Sequence, residues 1–243
     1  PQLASADTGL AELERISAEG RHAASDYLED AVLARVPTVG CRRVGGGLAG
    51  EPAESNVVAG VRLAAAQEPG VIVVEGSGSC IPPVAVDRTV CVVGDRAGAL
   101  DGLGPYRLLR ADLALVADPA LVGEVADICP GEALAFTLRP EPAEPLPEGA
   151  RVAVFSTSAA EVPGVEAVVA SSALARRGAL EADLERAVAE RCDVWLCELK
   201  AAAIDTVAPR ARAAGARLVF LRNRPAGVGA DLDAALVKLW SDG

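Results

Sequence analysis

Residues 71–83 read VIVVEGSGSCIPP, an apolar run that ends at one acid and breaks into glycines, serines and a double proline. Four consecutive β-branched residues between Pro69-Gly70 and Gly76 predict a buried strand of a parallel sheet, 71–75. Glu75 then stands at the strand's carboxyl end, where open α/β sheets bind ligands, and a carboxylate there can meet a metal ion or a metal-bound phosphate. Gly76 and Gly78 permit backbone approaches that a Cβ forbids, leaving amides to face an anion. The plainer alternative is a strand followed by an ordinary turn.

Outward from this stretch, strands and helices alternate. A short strand at 36–41 feeds Arg42-Arg43-Val44-Gly45-Gly46-Gly47-Leu48-Ala49-Gly50, two arginines followed by four glycines in six residues. That pattern brings guanidinium and backbone N–H groups to one anion; a flexible loop with solvated arginines is the alternative. Ser55-Asn56 is expected to cap a helix to about Gln67 whose apolar positions face the sheet. Strands at 89–93, 112–116 and 133–137 follow, with helices at Gly104 and near 120–126. Upstream, 10–36 predicts two helices interrupted at Gly20, with Ser25 or Asp26 as a cap of the second.

Residues 139–149, RPEPAEPLPEG, hold four prolines in eleven positions and are read as the linker. Beyond it, strands at 151–155, 165–169, 193–197 and 216–221 and helices at 180–191, 201–214 and 232–240 make a second α/β unit. The expected fold is therefore α/β: a doubly wound, mostly parallel sheet over 1–140 and a smaller C-terminal α/β domain over 150–243. In the second unit the buried run Val194-Trp195-Leu196-Cys197 ends in Glu198-Leu199-Lys200. These two charges either pair with each other or receive substrate phosphate.

Composition bounds the chemistry. The 243 residues are 51% hydrophobic but 3% aromatic, so the core is built from Ala, Val and Leu. A net charge of -11 argues against a general nucleic-acid surface, and any anionic ligand needs a local basic cluster. Six cysteines without a C-x-x-C pair and the single His22 argue against structural zinc. Reduced thiols and the lack of a secretory or membrane-length apolar run predict a cytoplasmic protein. Pro1 at the start and the absence of Met fit either a removed initiator Met or a piece of a longer chain. There is no G-x-x-x-x-G-K-[ST] phosphate loop, no G-x-G-x-x-G after a strand and no nucleophile elbow.

HAASDYLEDA, VGCRRVGGGLAG, Ser55-Asn56, VEGSGSCIPPVAVD, GPYRLL, LRPEP and ELKAAAID occur in this order, and together they resemble the cyclic 2,3-diphosphoglycerate synthetase family. EGSG is similar, more distantly, to a segment of dethiobiotin synthetase, a phosphate-loop ligase. The resemblance implies a phosphate-loop NTPase type of fold and an ATP-dependent enzyme that closes an intramolecular phosphoanhydride in 2,3-diphosphoglycerate, releasing ADP and phosphate. Family members carry an N-terminal domain and a phosphate-binding loop ahead of the matching part, and this sequence begins after that loop. By the resemblance, Glu75 holds Mg²⁺ with Asp26, and Arg42, Arg43 and the amides of Gly45, Gly46 and Gly47 hold substrate phosphates, with His22 nearby. Lys200 and Glu198 close the site from the second domain. A small phosphorylated substrate and a homodimer are the implied partners. The alternatives are a catalytically incomplete anion-binding or assembly module, or a related ring-closing ligase.

Overall fold

The computed structural model describes residues 1–44, 53–76, 81–158 and 161–241. They form two compact units: 1–40 with 140–224, and 41–139 with 225–243. Each unit therefore takes chain from two separate stretches.

The first unit holds a parallel sheet in the order Arg217–Gly227, Val194–Glu198, Val152–Phe155, Ala167–Ser171. Val152–Phe155 and Val194–Glu198 are buried along nearly their whole length, as the unbroken apolar runs predict for strands covered on both faces. One face presents Ala153, Phe155, Trp195 and Cys197 to Leu180 and Leu184 of helix Arg177–Ala189 and to Ala203, Val207 and Ala211. The other turns Val152, Val154, Val194 and Leu196 toward Val162 and Leu146. Helices Leu10–Ala18 and Asp26–Ala34, separated at Gly20 (φ 73°), bury Leu13, Ile16, Leu28 and Ala31 against Leu199 and Ile204. Strand Gln2–Ala4 pairs antiparallel with Thr38–Gly40.

In the second unit, strands Val90–Val93, Leu113–Val116 and Glu132–Pro142 run parallel in that order. Val93, Leu108, Val116 and Val125 pack on one face, and Leu113, Leu115, Leu134 and Phe136 meet Leu232 of helix Leu232–Ser241 on the other. The expected α/β architecture is present, and strand Glu132–Pro142 runs on into the proline-rich stretch.

Two expectations are overturned. Residues 71–75 form no strand, and Val71, Ile72 and Val73 are exposed, Val73 to 86%. β-Branched residues supply strand propensity, but a strand exists only where a neighbour completes its hydrogen-bond ladder, and no described strand does so here. Helix Val57–Ala65 likewise buries only Gly60, while Val58 is exposed, so its apolar positions do not cover a sheet. Without a strand at 71–75, no sheet surface among the described residues meets that face.

Candidate functional site

In the first unit the chain leaves strand Val152–Phe155 toward Ala167–Ser171 on one side and then returns to place Val194–Glu198 on the other. The strand order reverses between 152–155 and 194–198, and a crevice at the carboxyl ends beside such a reversal is where open α/β sheets take ligands. Phe155 and Cys197 are paired in register, so Ser156-Thr157 and Glu198 emerge side by side.

The side chains there are tied together. Thr157 donates to the same Glu198 oxygen twice, from its amide at 2.8 Å and its hydroxyl at 2.7 Å. The other Glu198 oxygen lies 3.8 Å from the Lys200 ammonium, and Glu29, from helix Asp26–Ala34, lies 3.4 Å from it. Leu199 and Ile204 provide a buried apolar floor, and Phe155 stacks at a tilt on Trp195 with ring centroids 5.3 Å apart. The helix after Lys200 opens with a π-helical stretch, Ala203–Val207, a distortion frequent at functional sites. The chain has two lysines, Lys200 and Lys238, among 23 basic residues, so a compact ammonium at this edge is a departure from its general use of arginine.

The electrostatics are acidic around that ammonium. Burial, then the charges of Glu29 and Asp26, push the Asp30 carboxyl above its ordinary range. Burial, assisted by Glu198, pushes the Cys197 thiol far up, so it is a core group and no nucleophile.

Of the residues singled out in the sequence, His22, Asp26, Glu198 and Lys200 belong to the first unit, and Arg42, Arg43 and Glu75 to the second. Glu198 and Lys200 are brought together. Asp26 is the first residue of its helix; Ser25 occupies the cap position, but its hydroxyl donates to the His22 carbonyl at 3.0 Å instead of capping. Exposed Arg42 is anchored through its backbone: its amide donates to Asn56 Oδ1 at 2.7 Å and its carbonyl accepts from the Asn56 amide at 3.1 Å. Asn56 thereby closes the hairpin Arg43–Val44/Glu54–Ser55 rather than capping the helix, whose Val57 amide is taken by Ser55 Oγ at 3.1 Å. Gly45, Gly46 and Gly47 lie outside the described residues. Thr157 and Glu29 were missed: nothing local marks them, since their partners are 41 and 171 residues away.

Comparison with known proteins decides the family. The P-loop domain of cyclic 2,3-diphosphoglycerate synthetase matches residues 7–124, and the C-terminal domain of the same enzyme matches 148–224. The chain belongs to the cyclic 2,3-diphosphoglycerate synthetase family. It is similar to the cyclic 2,3-diphosphoglycerate synthetase of Rubrobacter xylanophilus, 41% identical over 96% of this chain and 58% of that protein. Those of Thermococcus gammatolerans and Pyrococcus furiosus are 38% and 34% identical over 93% of this chain, covering 56% and 57% of their own lengths. The chain thus spans somewhat over half the length of the curated relatives it matches. The P-loop-domain match contains no G-x-x-x-x-G-K-[ST] sequence. The site at 156–157 and 198–200 falls inside the synthetase C-terminal domain.

Proposed function

We propose that this chain takes part in ATP-dependent closure of 2,3-diphosphoglycerate to its cyclic phosphoanhydride, with release of ADP and phosphate. Membership of the family, with both of its domains in order and every relative cited above bearing the synthetase name, carries this reading. In the reaction one substrate phosphate oxygen attacks the γ-phosphorus and ADP leaves. The substrate's second phosphate then attacks the phosphorus so activated, the bond to the transferred phosphoryl breaks, and inorganic phosphate departs. Chemistry of this kind needs positioning and charge neutralisation more than a protein nucleophile.

Arg42 and Arg43, with the amides of Gly45, Gly46 and Gly47, are assigned to the substrate phosphates, as is His22 of the first unit. Lys200 meets a phosphoryl group in the C-terminal domain, and Glu198 holds it in place. Glu75 and Asp26 are the acidic residues assigned to Mg²⁺. Among the described residues no group of three or more acidic, His or Cys side chains is arranged as a metal cage. That fits an ion that keeps its waters and substrate phosphates and takes only one or two carboxylates. Bound Mg²⁺ supplies charge neutralisation on the transferring phosphoryl group. We further propose a cytoplasmic homodimer, an assembly supported by exposed Val73, Val92 and Val237; no described helix is long and apolar enough to cross a membrane.

Calorimetry with 2,3-diphosphoglycerate, and phosphorus NMR with ATP and Mg²⁺ added, test the reading. Saturable binding weakened at least tenfold by Arg42→Ala is expected from loss of a charge-assisted contact, and a cyclic pyrophosphate signal with ADP establishes turnover. Absence of binding, with Arg42→Ala and Arg43→Ala equal to the parent, overturns it.

A further inference from the structure

At the strand-order reversal Lys200 stands near two carboxylates at different distances. Both Thr157 donors converge on one Glu198 oxygen, which fixes that carboxylate and leaves its second oxygen 3.8 Å from the ammonium. The closer carboxylate, Glu29, lies at 3.4 Å, longer than a good charge-assisted bond of about 2.8 Å, and the Lys200 side chain is 45% exposed. An ammonium held by one long bond to Glu29, with Glu198 farther off and its side chain open to solvent, is ready to change partners. A plain salt bridge joining helix Asp26–Ala34 to the strand end has no need of the second carboxylate or of the two bonds that fix it.

We propose that Thr157 and Glu29 are positioning residues for Lys200. Thr157 locks Glu198 so that the ammonium stays at the strand ends, and Glu29 is the counter-ion that an incoming phosphoryl group displaces. This rests on the reading that Lys200 meets a phosphoryl group. The two residues therefore act in opposite senses: one holds the cation for the ligand, the other competes with the ligand for it.

The full chain labelled with [13Cε]lysine shows two lysine cross-peaks, from Lys200 and Lys238, assigned with Lys238→Arg. It is titrated with 2,3-diphosphoglycerate and, separately, with inorganic phosphate, alongside calorimetry. The Lys200 peak moves saturably and the Lys238 peak stays. Thr157→Val raises the half-saturation concentration about tenfold, the effect of one lost bond to a charged group, and Thr157→Ser restores it. Glu29→Gln lowers it about threefold, and by more than Asp30→Asn, which removes a neighbouring charge without touching the ion pair. Circular dichroism checks that each variant is folded, and if Thr157→Val is not, the Glu29→Gln and Asp30→Asn pair still decides. A stationary Lys200 peak while calorimetry records diphosphoglycerate binding overturns the inference and leaves the proposed reaction standing. The inference falls equally if Thr157→Val and Thr157→Ser both match the parent, or if Glu29→Gln weakens binding. Phosphate that moves the Lys200 peak without any diphosphoglycerate binding upholds the inference and overturns the proposed substrate.

Discussion

Phe155→Leu tests whether the aromatic pair supports the Thr157–Glu198 contact at the strand ends. Phe155 and Trp195 are fully buried, their rings 5.3 Å apart at 51°, and each stands close before the polar residues it supports, Ser156-Thr157 and Glu198. Replacing the ring removes an aromatic contact of about 0.5–1.5 kcal/mol and leaves a small cavity, for a total near 2 kcal/mol. The assay uses Trp240→Phe as background, because Trp240 is 57% exposed and its loss leaves Trp195 as the sole indole. With a urea dependence of about 2 kcal/mol per molar, the Trp195 fluorescence midpoint should fall by about 1 M with its slope unchanged. A fall under roughly 0.2 M on the same scale would refute the claim that this pair carries the strand ends.

Two further outcomes are expected. Asp30→Asn should raise thermal stability at neutral pH. The folded-state pKa lies above the unfolded one, so Asp30 is most favourable below its ordinary value and loses that contribution as pH rises; the variant's advantage, below about 0.5 kcal/mol after solvent screening, vanishes under pH 4 in scans run at both pH values. Gly131→Ala should cost more than 2 kcal/mol, roughly the scale of strained core substitutions, because a Cβ there would lie 2.0 Å from the Asp112 carbonyl oxygen; a thermal midpoint within a degree of the parent counts against the packing of strands Leu113–Val116 and Glu132–Pro142.

Runs such as LALV at 113–116 and VAVF at 152–155 could be read from sequence because each is buried on both faces, and an uninterrupted apolar run reports that burial directly. VIVV at 71–74 is as apolar and has a different outcome. A residue pattern states what a segment can pack as, while the ladder partner is a property of the rest of the chain. The same reasoning divides the residues at the strand ends. Glu198 and Lys200 are legible because one ends a strand and the other follows it directly. Thr157 and Glu29 are not, because their roles depend on the strand order and on where a distant helix comes to rest. Asn56 carried a capping signature, and in the structure its side chain accepts from the Arg42 amide instead.

The interleaving of the two units bears on synthesis at the ribosome. Leu13, Ile16 and Leu28 are made about 170–190 positions before Leu199 and Ile204, the residues that cover them. At roughly 5–20 residues per second, the apolar stripes of the first two helices wait on the order of 10–35 s for their cover. During that interval the uncovered stripes are the kind of surface that holding chaperones bind, and the first unit closes only when the Val194–Glu198 strand and the helix after it have left the tunnel.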